Sequence, residues 1–275
     1  MMNLKWPAVR LTLFIVALST PLAAQWPSHG MPGLPKTPDG KPNLTAPAPR
    51  TADGKPDLSG IWDTVASPVG PVEPAVGDAP PGATYFNVAA GMKGPLPLTP
   101  AGAEIMKQRA ADHFKNYPNS LCLPVGIMQI HTHPQPRKIL QMPGVILTIA
   151  EANLNVRQIF TDGRPLPRNN PQPWWYGYSV GKWDGDTLVV DTNNLRDGGW
   201  LDVNTGAPLT DAATLTERFR RVNYGRLEVD VTVNDPKAYT KPWTVRIAER
   251  LLPNTELIEH VCLDGQELTR PQTWR

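Results

Sequence analysis

Six side chains could carry proton-transfer chemistry if the fold brings them together: His131, His133, Glu151, Glu217, Arg157 and Arg218. Glu151 ends an otherwise apolar run, and Glu217 shares a strand face with Leu215 and Phe219, so either carboxylate can point into an apolar interior. There it must pair with a cation or have its pKa raised by desolvation. In the catalytic reading Glu217 is the poised acid or base, Arg157 or Arg218 clamps an anionic group, and His131 or His133 is the second proton carrier. The alternative for each carboxylate is a structural ion pair that holds strand register.

His131-Thr132-His133 places two imidazoles at i and i+2, which share a face on a strand and could serve one metal or act as a pair of bases. The positions three to five beyond His133 are Pro136, Arg137 and Lys138, so the carboxylate such a metal site would use is missing. No cofactor is therefore expected, and the competing reading of the pair is an exposed Pro-rich loop. Asp162-Gly163-Arg164 reads first as a turn, with Arg164 as a candidate binding residue. Trp174, Trp175, Tyr176 and Tyr178, with Trp183 and Trp200, either line a pocket mouth that stacks on a ring or pack in the core. Cys122 and Cys262, the only cysteines, are expected to form a disulfide if the chain is exported. The chain has no GxSxG elbow, P-loop or dinucleotide fingerprint. A net charge of +2, with no basic run, speaks against nucleic acid as a partner.

The elements that must position these residues are mostly strands. Tyr178–Trp183 and Thr187–Asn193 flank Asp184-Gly185, a pair suited to a type I′ hairpin turn. Further extended runs follow the same pattern: Arg137–Met142, Val145–Glu151, Asn155–Thr161, Thr214–Val222, Arg226–Asn234, Trp243–Leu251 and Thr255–Cys262. Leu227, Val229, Val231 and Val233 alternate strictly with polar residues, which gives one dry face. Leu58–Val65 supplies a first strand, and Thr99-Pro100 opens one helix ending near Asn116, with an apolar stripe of Ile105, Met106 and Ala110. Eight or more antiparallel strands with short turns favour a closed barrel over a two-sheet sandwich, because closure removes the unpaired edge.

Upstream, Lys5 and Arg10, the apolar run Leu11–Ser19 and Ala23-Ala24 read as a signal peptide over residues 1–24, which implies a periplasmic or secreted protein. No later stretch reaches the roughly 18 consecutive apolar residues of a membrane-spanning helix. Of the 32 prolines, 27 precede Trp174, so residues 25–55 read as an irregular wrap on a barrel domain over 56–275. Within the wrap TPDGKPNLT recurs 14 residues later as TADGKPDLS, which reads as two similar turns.

Gly60-Ile61-Trp62 resembles the Gly-x-Trp of the first lipocalin strand, where the tryptophan closes the barrel floor. Taken together, PDLSGIW (56–62), TDGRPLP (161–167), YSVGKWDGDTLVVDT (178–192), LTERFRRV (215–222) and NDPKAYTKPWTV (234–245) resemble a large family of secreted bacterial proteins carrying these motifs in the same order. The resemblance covers about residues 50–263 and attaches no activity to them. Members often have histidines where this chain has Leu166 and Leu209, and both departures weaken any acid–base role at those positions. The function expected from the residues is a cofactor-free acid–base enzyme, a lyase, isomerase or hydrolase, acting on a small organic or sugar-derived molecule. The alternatives are a lipocalin-like carrier holding a small ligand in the barrel, and an envelope interaction module using the Pro-rich wrap.

Overall fold

The computed structural model describes residues 30–65, 94–168, 172–202 and 205–260, with Val88, Met92 and Cys262 besides. The proposed signal peptide lies outside them. Nine strands close into a barrel: β1 (Gly60–Thr64), β2 (Arg137–Met142), β3 (Val145–Ala150), β4 (Asn155–Phe160), β5 (Tyr178–Asp184), β6 (Thr187–Asn193), β9 (Thr214–Asn223), β10 (Arg226–Asn234) and β11 (Trp243–Leu251). Two short strands, β7 (Gly199–Trp200) and β8 (Pro208–Leu209), form a separate ribbon. Around the barrel the order is β1-β11-β10-β9-β6-β5-β4-β3-β2, closed by β2 on β1.

The expected hairpin is β5–β6, with Asp184 opposite Thr187 across the loop Gly185-Asp186. Only the first loop residue has positive φ, 58° at Gly185, so the turn has the pattern of type II′ rather than the expected type I′. Period-2 alternation builds the core: Leu227, Val229, Val231 and Val233 of β10 meet Val245, Ile247 and Leu251 of β11 inside. The lumen is filled by side chains, Trp62, Ile159, Leu188, Leu215 and Leu227 all being fully buried, as befits a barrel of this strand number. Trp62 donates from Nε1 to the Leu58 carbonyl (3.0 Å) under the Arg221 guanidinium, 4.9 Å away.

The barrel is mixed rather than purely antiparallel. β4 and β5 run parallel and share only two register pairs, Ile159 with Ser179 and Phe160 with Val180. The strands are staggered, so β4, paired with β3 along its other edge, has no strand on its β5 side before Ile159 among the described residues. The chain between β4 and β5 returns to make this parallel seam, which no local pattern in the sequence announces.

Helix α1 (Pro100–Ala111) starts as expected, with Thr99 Oγ1 accepting from the Gly102 N–H at 3.0 Å. It ends earlier than expected because His113 and Phe114 take positive φ. Of the expected apolar stripe Met106 packs, partly buried, against the core; Gly102 is the helix's one fully buried residue, and a Cβ there would come within 2.4 Å of the Ala238 carbonyl oxygen. A second, four-residue helix, α2 (Gln129–Thr132), stands where an extended segment was expected. Residues 255–260 are irregular rather than a last strand, and Cys262 is disulfide-bonded to Cys122, 5.5 Å apart at Cα.

The two upstream repeats form the same turn twice. Thr37 N–H bonds the Lys41 carbonyl at 2.8 Å, and Thr51 N–H the Lys55 carbonyl at 2.9 Å. The second repeat is pinned to the β5–β6 hairpin tip by Arg50 on Asp186, the first to the β9–β10 turn by the Gly225 N–H on Leu44 O.

Candidate functional site

One charged network crosses the barrel interior. Alternation along β9 turns Glu217 inward with Leu215 and Phe219, and alternation along β11 does the same to Glu249 between Ile247 and Leu251. β4 contributes Arg157 and β2 contributes Arg137, each in phase with the buried isoleucine two residues on. His131 reaches in from α2. Its Nε2 lies 2.8 Å from Glu217 Oε1 and its Nδ1 lies 3.1 Å from Glu249 Oε1. Arg157 pairs with both Glu217 oxygens, the Nη1–Oε1 distance being 2.9 Å, and Arg137 pairs with Glu249. Ser179 and Thr192 hold the Arg157 fork at 3.1 and 3.2 Å from Nη2, and Thr64 Oγ1 accepts from Arg137 Nη1 at 3.1 Å. The sequence Arg157–Glu217–His131–Glu249–Arg137 is thus two buried ion pairs with an imidazole strut between them.

Burial alone would push the Glu217 carboxyl up, but the Arg157 charge and the hydrogen bonds from His131 and Arg157 outweigh it, holding the group at about 2 against an ordinary 4.5. Glu249 is lowered by the same balance, burial opposed by Arg137 and His131. Both are therefore ionised at neutral pH. His133 is separate: burial, with His260 nearby, lowers it to about 4 from 6.5 despite a hydrogen bond with Gln135.

These shifts set an expected acid sensitivity. Between pH 6.5 and 4 the unfolded chain protonates His133 while the folded chain does not, and between 4.5 and 2 the same holds for Glu217. In both windows the unfolded state binds more protons, so stability falls as pH falls, by on the order of 3 kcal/mol per group. Urea unfolding across pH 7 to 3 should show both losses, and His133→Gln should flatten the upper one. A wild-type stability constant from pH 7 to 4 contradicts the assignment.

At the seam a cleft of about 740 Å³ opens on the barrel wall. The free edge of β4 (Asn155 to Gln158) forms one side and residues 172–178 the other, with Trp174, Trp175, Tyr176 and Tyr178 contributing rings. Arg157 and Ser179 reach the cleft, which makes them the link to the buried network. Gly177 permits the sharp return of the chain: its φ is 66°, and a Cβ would meet Thr192 Cγ2 at 2.5 Å. Tyr176 is buried, its hydroxyl has no hydrogen-bond partner among the described residues, and burial raises its pKa. Arg196 stands over the Trp175 ring at 5.0 Å.

The expected constellation is therefore brought together only in part. Glu217, Arg157 and His131 converge, but Arg218, one residue on from Glu217, faces outward and pairs with Asp184 at 3.1 Å. His133 does not share a face with His131, because α2 replaces the expected strand, and neither is exposed. Among the described residues no three His, Cys, Asp or Glu side chains form a group that could hold a metal. Glu151 turns to the C-terminal segment, accepting the Ile258 N–H at 3.0 Å, and burial raises its pKa. Arg164 pairs with Asp162, donates to the Tyr178 hydroxyl at 3.1 Å and lies 3.9 Å over Phe160. Trp175 and Tyr178 line the seam cleft, whereas Trp183 lines two other clefts. Glu249, Arg137 and Arg196 were not singled out from the sequence. The first two had a readable signal, a charge in the apolar phase of a strand.

Comparison with protein-family models, with curated proteins and with solved structures found no match to this chain.

Proposed function

We propose that this chain is an exported small-ligand binding protein whose site is the aromatic cleft at the β4–β5 seam. The observation that carries the reading is the stagger of those two strands, which leaves a concave wall of five aromatic residues, Phe160 among them, with a buried phenol that has no hydrogen-bond partner among the described residues. The filled lumen favours this cleft over the barrel interior as the place for a ligand. The disulfide supports export, since such bonds persist in oxidising compartments. Acid–base catalysis by Glu217 draws less support, because its carboxylate is fully buried, doubly paired and held at a pKa far below neutral.

Titration of the oxidised protein with a panel of small aromatic and sugar-derived compounds is expected to give saturable quenching of tryptophan fluorescence, with the ligand recovered unchanged. Trp175→Ala should weaken binding by about tenfold or more, as truncation of a central aromatic anchor does. Equal affinity in that variant, or absence of saturation across the panel, would reject the cleft. A chemically altered ligand would favour the enzyme instead.

A further inference from the structure

The cleft wall is one-sided in charge. Among the described residues its lining contains two arginines and no aspartate or glutamate. Their roles differ. Arg157 is neutralised by Glu217 and fixed by Ser179 and Thr192, so it adds little net attraction. Arg196 is exposed, held over the Trp175 ring, and pairs with no carboxylate among the described residues. A guanidinium resting over an indole is partly held in place, so it loses less freedom when its N–H donors take up an anion.

Resting on the reading of this cleft as the ligand site, we infer that it selects a planar aromatic monoanion, a ring bearing a carboxylate. The rings of Trp174, Trp175 and Tyr178 take the planar part, and Arg196 meets the charge. One uncommitted cation fits one negative charge. A dianion would bring a charge that nothing in the lining offsets.

The test is isothermal titration at neutral pH with three matched probes: 2-naphthoate, neutral 2-naphthamide and the 2-naphthylmethylammonium cation. In wild-type protein the carboxylate is expected to bind about tenfold tighter than the amide, with the cation weakest. Arg196→Gln should bring carboxylate and amide to within about twofold, and Arg196→Lys should restore part of the preference. If the amide binds as tightly as the carboxylate, or the preference survives Arg196→Gln, the ligand class is overturned while the cleft itself stands. If none of the three binds, the ligand class is again overturned, and the broader panel with Trp175→Ala judges the cleft separately.

Discussion

Glu217→Ala is expected to lower the unfolding free energy by about 3–5 kcal/mol, the cost of leaving a buried charge without its partner. The charge in question is Arg157, which is 2% exposed and has no other carboxylate partner within the network. The substitution also removes one of the two oxygens that hold the His131 ring between β9 and β11. Glu217→Gln should cost less, since the amide oxygen still accepts from Arg157. In the double variant Glu217→Leu/Arg157→Met the loss should be smaller than the sum of the single losses, because neither charge is then stranded. Urea unfolding at pH 7 measures all six proteins: the wild type, Glu217→Ala, Glu217→Gln, the single variants Glu217→Leu and Arg157→Met, and their double. A loss below about 1 kcal/mol in Glu217→Ala would mean that the Arg157 charge is not buried in the folded protein.

The second large effect is expected from the disulfide. Cys122 and Cys262 are separated by 140 residues, so their bond closes nearly the whole barrel into one loop. Chain entropy in the unfolded state then accounts for roughly 4–5 kcal/mol in the limit of a strain-free native bond. The Cys122→Ser/Cys262→Ser variant should lose a large part of this, corresponding to a fall in Tm of about 10 °C for a domain of this size. Calorimetry of the variant beside the oxidised parent measures it. A shift under about 2 °C would show that the cross-link leaves the unfolded ensemble essentially unchanged.

The legible part of the candidate site was the phase of individual residues. Glu217 stood out because a carboxylate occupied an apolar position in an alternating strand, and its inward direction follows from that alone. The same logic sends Arg218 outward to Asp184, so of the two candidate arginines only Arg157 can meet Glu217 inside. Glu249 carries the signal just as clearly, between Ile247 and Leu251, and Arg137 and Arg157 sit in phase with Ile139 and Ile159. His131 could not be placed this way, since the four residues of α2 are too few for a helical period to show. The aromatic run from Trp174 was visible as composition, but pocket wall and core packing remained equal readings of it.

What the sequence by itself determined was local. It encoded the strands, the β5–β6 hairpin, the Thr99 cap, the repeated upstream turn and the pairing of two lone cysteines. Each depends on side-chain alternation, on the φ preference of a residue or its neighbours, or on there being a single possible partner. Tertiary structure alone decided which strands lie side by side, and with that the parallel seam, its cleft and the pairing of Glu217 with Arg157 and Glu249 with Arg137. Those contacts join residues 60 and 112 positions apart. Periodicity specifies which face a side chain takes, but many strand orders bury the same faces, and only packing the whole chain at once selects among them.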